Sequence, residues 1–257
     1  MHSKMLLKIL TVNIWNGEFT DSSLLPFLLQ ENADILLFQE MYNGNNREYP
    51  ANFRAFDVIK KALHMPYTLF GPQFKAIYDT VQADRGNAVF SKFPLELVGN
   101  YFFGKSYVSI ENEMTLGDWR DSPRNLLHTS VALKDTTLDI FCIHGEWDFH
   151  GNDSPARTHM GNVILDKIKG KEHVLLAGDF NMFPHTLCID GIEEMLTNVF
   201  KDELKTTFNL KHKDTSAFGN SVVDMMFVSP EIKVVNHYMP DVDVSDHMPL
   251  IAELEVA

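Results

Sequence analysis

The stretch from His173 to Asn181, reading HVLLAGDFN, constrains this chain more than any other. A short apolar run that stops at a glycine is the pattern of a strand packed on both faces, so the fold must place a layer on either side of it. Gly178 lets the backbone turn sharply, and alternation then puts Asp179 and Asn181 on one side while Phe180 points back into the core. A carboxylate and a carboxamide together at a strand end make either an active-site edge or an Asx-rich turn. The segment alone allows both.

The rest of the chain repeats the plan. Leu6 to Val12 is β-rich and ends in Asn13, and Asp34 to Gln39 is an apolar strand ending in Glu40. Leu126–Leu133 and Leu138–Ile143 read as a hairpin across Asp135-Thr136-Thr137, and its second strand ends in His144. Asp224 interrupts the buried run Val222–Val228, where an acid is costly unless it is paired. Ser245-Asp246-His247 forms a polar turn into a closing strand, Ile251–Val256, and Asp224 is the expected orienting partner of His247. Several strand ends thus deliver oxygen ligands, the donor type that magnesium prefers, and neither cysteine stands at zinc spacing with a histidine. Helices are expected over 22–30, capped by Ser22 or Ser23, and over 51–63, 154–169 and 184–196. Arg85–Phe93 reads as a strand closed by Pro94. The aromatic stretch from Gly99 to Ser122 reads as strands joined by a long loop that overhangs the site.

Composition narrows the partners. With 35 acids against 22 bases, the net charge of −13 repels polyanions unless the cations gather on one face. Lys201, Lys205, Lys211 and Lys213 are diluted by Asp202, Glu203 and Asp214 and read as a solvated face. Nucleic-acid binding rests on phosphate neutralisation and is disfavoured. Cys142 and Cys188 are too few for a disulfide framework and fit a reducing, cytoplasmic setting. No apolar run is long enough to cross a membrane, the start reads as a strand rather than a signal peptide, and no linker or repeat breaks the chain. One domain over 5–257 is expected; the sequence leaves the oligomeric state open.

Asn13, Gln39-Glu40, Gly86-Asn87 before a strand, His144, Gly178-Asp179-Phe180-Asn181, Val223-Asp224 and Ser245-Asp246-His247 follow one another in an order that resembles the endonuclease/exonuclease/phosphatase superfamily. The resemblance spans residues 6 to 256. It implies a deoxyribonuclease I-like α/β (α+β) fold: a four-layer sandwich of two packed, mainly antiparallel sheets flanked by helices. It also implies hydrolysis of phosphoester bonds with a divalent cation, magnesium or manganese. In that family pattern Glu40 resembles the main metal ligand, with Asn13 and Asp246 near the metal. Asp179 resembles the group that positions or deprotonates the attacking water, and Asn181 and Asn87 resemble substrate contacts. His247, paired with Asp224, resembles the phosphate-contacting or general-base histidine. His144 resembles the residue that assists leaving-group departure or stabilises the phosphorane.

Two departures bear on substrate. Thr11-Val12-Asn13-Ile14-Trp15-Asn16 lacks the fuller pattern of abasic-site endonucleases, and His144 stands where those carry tyrosine. Val223-Asp224-Met225 lacks the tyrosine of the sphingomyelinase-like run. The expectation is a phosphodiesterase or phosphatase acting on a small or lipid-like phosphoester. The alternatives are a metal-dependent endo- or exonuclease, and a non-catalytic binding module on the same fold.

Overall fold

The structure is a computed structural model and describes residues 4–111, 118–213 and 219–257. Its centre is two β-sheets packed face to face. Among the described residues one has seven strands and the other six. In the first sheet β1 (Met5–Asn13) pairs in parallel with β2 (Ile35–Asn43), and antiparallel with β13 (Leu250–Val256), whose outer neighbour is β12 (Lys233–Tyr238). β2 is followed outward by β4 (Gln82–Ser91), β3 (Tyr67–Ile77) and β6 (Ser109–Glu111). In the second sheet β8 (Thr137–His144) and β9 (Val174–Asp179) form the central parallel pair. On one side lie β7 (Asn125–Ala132) and β5 (Leu95–Phe102), on the other β11 (Asp224–Val228) and β10 (Thr197–Asn198).

Alternation within the strands builds the layers. Leu7 and Ile9 of β1 and Leu175 and Ala177 of β9 meet between the sheets, in a core shared with Val89, Leu127, Ile140 and Cys142. The intervening residues face outward. Leu10 and Val12 pack under α1 (Leu25–Glu31) and α2 (Ala55–Leu63). Val174 and Leu176 pack under α3 (Pro155–Ile168) and α4 (Leu187–Glu193). The central strand is thus buried on both faces, as its composition requires. Both cysteines are buried and free.

Three details differ from the sequence reading. Ser22 and Ser23 do not cap α1; Ser22 bonds the Phe19 carbonyl and Ser23 the Asp243 carbonyl, and the helix is entered through an irregular turn over Thr20–Leu24 with proline in its first turn. β2 does not stop at Glu40 but continues to Asn43. Asp224 opens β11 instead of interrupting it. The aromatic stretch does pass through β5, β6 and a short turn at Trp119–Asp121, while the middle of that loop, like Asp214, lies outside the described residues.

Candidate active site

Register places the chemistry. In the second sheet His144 pairs with Asp179, and Asp179 pairs with Asp224, so β8, β9 and β11 carry these three side chains along one rung. Partners on a rung share a face and stand about 5 Å apart, which forces two carboxylates and an imidazole together at the end of the sheet. The first sheet brings up Asn13 opposite Gln39, with Glu40 one residue beyond.

Glu40 is aimed by a defect. Between Phe38 and Met41 the β2–β4 register shifts, and Glu40 takes a left-handed φ of 59° at the bulge. Such an extra residue re-aims a side chain while pairing resumes beyond it. Gly178 is needed for a similar reason. Its φ is +140°, and a Cβ there would stand 2.2 Å from the Ile143 carbonyl oxygen and 2.8 Å from the Gln39 amide nitrogen.

Asp179 is 1% exposed and held at both oxygens: Asn13 Nδ2 donates to its Oδ2 at 3.0 Å and the Asn181 backbone N–H to its Oδ1 at 2.8 Å. Burial, together with the neighbouring Asp224, pushes its carboxyl up to about 6, although His247 pulls the other way. His247 arrives from the turn before β13, and its Nδ1 lies 2.8 Å from Asp224 Oδ2. Burial opposes charge on that imidazole, but Asp224, with Asp246 and Asp179 beyond, outweighs it and raises it to about 10. His247 is therefore an imidazolium at neutral pH. His144 behaves oppositely: burial and the charge of Arg124 hold it well below the ordinary histidine value, so it is neutral. Its Nε2 lies 3.7 Å from both Glu40 Oε1 and Asp179 Oδ2. Two histidines at one site thus carry different charges, set by different neighbours.

Glu40 Oε2 lies 2.7 Å from Arg85. Burial alone would raise its carboxyl; the Arg85 guanidinium overrides this and holds it far below the usual range. Asp246 Oδ2 lies 2.6 Å from Lys213 Nζ. Asn181 donates its side-chain amide to the Gly145 carbonyl at 3.1 Å and has a left-handed φ of 54°.

These groups surround one pocket of about 420 Å³, lined by Glu40, His144, Asp179, Asn181, Asp246 and His247 among others. Asn13 lies behind it, bonded to Asp179, and Asp224 lies behind His247. Asn87, expected as a substrate contact, is fully buried between the sheets, with its amide nitrogen on Asn125 and the Cys142 carbonyl, and does not line the pocket. Sequence reasoning missed Arg85, Arg124 and Lys213. Lys213, read as part of a solvated face, lines the pocket. All three tryptophans of the chain, Trp15, Trp119 and Trp147, line it as well.

The Trp147 loop is held by a buried arginine. Arg157 on α3 is 1% exposed and donates to the carbonyls of Glu146 (3.2 Å), Asn152 (2.7 Å), His150 and Asn181. One guanidinium therefore joins the loop that carries Trp147 to the residue two places after Asp179.

The donor set fits a hard divalent cation. Glu40 and Asp246 present carboxylate oxygens to the pocket, each held at one oxygen by a cation, and Asn13 contributes a carboxamide oxygen that accepts only the Trp15 N–H at 3.1 Å among the described contacts. Asp179, Asp224 and His247 also have ligand atoms within 4.8 Å of one another. Because His247 Nδ1 and Asp224 Oδ2 are already spent on each other, that trio is better suited to proton handling.

A model of the Endonuclease/Exonuclease/phosphatase family matches residues 10–247. Among solved structures, an endonuclease/exonuclease/phosphatase from Beutenbergia cavernae superposes with a TM-score of 0.72 at 18% identity, over 98% of this chain and 72% of that one. D. rerio TDP2 complexed with a single-strand DNA product gives 0.67 at 18%, over 97% and 98%. A Bacteroides thetaiotaomicron mannosyl-6-phosphatase gives 0.62 at 19%, over 96% and 99%. No curated protein matches the chain. At these identities the likenesses show the fold, a deoxyribonuclease I-like α/β sandwich.

Proposed function

From the premise that this chain belongs to the endonuclease/exonuclease/phosphatase family, we propose that it is a divalent-metal-dependent hydrolase of small phosphoesters, folded as one domain over 5–257. The observation that carries this reading is the convergence on one aromatic-walled pocket of Asp179, held by hydrogen bonds at both oxygens, of His247, paired with Asp224, and of His144, 3.7 Å from Asp179.

Asp179 serves as the base. Its two fixed hydrogen bonds orient the carboxylate, and a pKa near the working pH suits proton abstraction from water. His247, kept charged by Asp224, donates a hydrogen bond to a phosphoryl oxygen; its raised pKa makes it a poor base, which favours the phosphate-contacting role of the two the sequence left open. His144, neutral, offers one N–H to the same oxygens or to the departing one. Asn181 and Lys213 complete the polar wall. Glu40 and Asp246, with Asn13 beside them, would hold magnesium or manganese, which supplies charge neutralisation to the phosphoryl oxygens when bound.

Pocket shape and charge favour a small substrate over nucleic acid. Cations outside the pocket lining are paired with acids: Arg120 with Asp118 at 2.5 Å, Lys105 with Asp121, and Lys211 near Asp243 at 3.5 Å. Little positive charge remains to track a phosphate backbone. No helix of the described chain is long and apolar enough to cross a membrane, and a cytoplasmic setting fits the free cysteines.

Hydrolysis of p-nitrophenyl phosphate or bis-p-nitrophenyl phosphate is expected with added magnesium and is abolished by chelation. Turnover unaffected by chelation sinks the metal-dependent reading, and none under any condition sinks the hydrolase. The pH dependence follows from Asp179: kcat/KM is expected to fall about tenfold per pH unit below about 6 as the carboxyl protonates. A profile flat from pH 5 to 8 would assign the base elsewhere.

A further inference from the structure

Arg124 opens the question of which phosphoester. It stands just before β7, is 4% exposed and lines the pocket. One guanidinium nitrogen donates to Ser122 Oγ at 3.0 Å, while its Nε is buried with no hydrogen-bond partner. Among the described residues no carboxylate forms an ion pair with it; Glu40, Asp179 and Glu146 act on it only at a distance, and Arg85 repels it. A buried cation without a partner is expensive, and burial with the Arg85 charge lowers this guanidinium to about 10. It remains charged at neutral pH. The other pocket cations differ: Arg85 is engaged by Glu40, Lys213 by Asp246 and His247 by Asp224.

Resting on the hydrolase reading above, we propose that Arg124 reads the additional charge of a terminal phosphate and makes this enzyme a phosphomonoesterase. A phosphomonoester carries up to two negative charges on three non-bridging oxygens; a diester carries one charge on two. His247, His144 and the metal ligands provide for the oxygens common to both. Arg124 supplies the unspent charge and planar donors that the third oxygen requires. The reaction is ordinary hydrolysis: the water oxygen–phosphorus bond forms, the ester oxygen–phosphorus bond breaks, Asp179 takes the water proton, and the leaving oxygen is protonated from solvent. Arg124 transfers no proton.

The test compares wild type, Arg124→Met and Arg124→Lys on p-nitrophenyl phosphate and bis-p-nitrophenyl phosphate with magnesium. Arg124→Met is expected to lose about 30-fold in kcat/KM on the monoester, the value of one charge-assisted hydrogen bond, and under about threefold on the diester. Arg124→Lys is expected to recover part of the monoester rate. Calorimetric binding of inorganic phosphate weakens in step. The melting temperature of Arg124→Met should not fall, because the variant removes an unpaired buried charge. Parallel loss on both substrates, or an unchanged ratio, overturns the proposal and leaves the hydrolase reading standing. A wild type inert toward both esters overturns the two together.

Discussion

Asp179→Asn is expected to lower kcat by about 10²–10⁴-fold, the usual worth of a positioned general base, without lowering the melting temperature at pH 8. The second half of that expectation is the informative one. A buried carboxyl raised from 3.8 to about 6 binds its proton more tightly when folded, so its contribution to stability is full below pH 3.8 and is lost as pH rises through 6. At pH 8 the ionised side chain therefore costs about 3 kcal/mol relative to a neutral one. Asparagine is spared this cost but forfeits about 1 kcal/mol, because it has one acceptor for the two N–H groups of Asn13 and Asn181. Steady-state rates and thermal melts at pH 8 check both halves. A variant that melts well below wild type would make Asp179 a structural residue, and one with full activity would remove it from the reaction.

His247→Gln should fail in both respects. Asp224 Oδ1 already lacks a partner, and Oδ2 depends on His247. Losing the imidazole leaves a buried, uncompensated charge, at a cost of about 3–5 kcal/mol and a melting temperature lower by about 6–20 °C. Activity falls with it. The double variant Asp224→Asn/His247→Gln separates the two effects: its stability should return to within about 1 kcal/mol of wild type, because both charges are gone, while its activity stays low. Recovery of activity would relieve His247 of any contact with substrate. The pH sign differs from that of Asp179. His247 is raised above 6.5 to about 10, so its stabilisation is complete below pH 6.5 and is lost as pH climbs through 10; in the double variant that loss is absent.

Much of the site could be read from the sequence because each side chain ends or adjoins an apolar strand. Asn13, His144 and Asp179 stand at the ends of β1, β8 and β9, where a polar residue after a buried run is conspicuous. The pairing of Asp224 with His247 followed from the cost of burying an acid. Glu40 was found for the wrong reason. It sits at a bulge inside β2, and no local pattern announces an extra residue when Met41 and Tyr42 continue the apolar run. Asn87 was misjudged because its neighbours in sequence say nothing of the opposing sheet, which buries it against Asn125. Arg85, Arg124 and Lys213 were missed for a related reason: whether a cation is solvated or enclosed is settled by residues far away in the chain. Lys213 meets Asp246 across the fold, and in the sequence it stands among other lysines.

The four-carbonyl grip of Arg157 also makes the pocket wall depend on the docking of α3. Its partners lie in the Trp147 loop and after β9, while the arginine rides on α3. Three of the four carbonyls lie in the segment just before the helix, but the fourth, that of Asn181, is reached only with α3 seated beside the end of β9. A partly folded chain therefore has no finished pocket and no wall to shelter water attack on phosphate. Regain of any hydrolytic activity during refolding is therefore expected to trail the return of secondary structure.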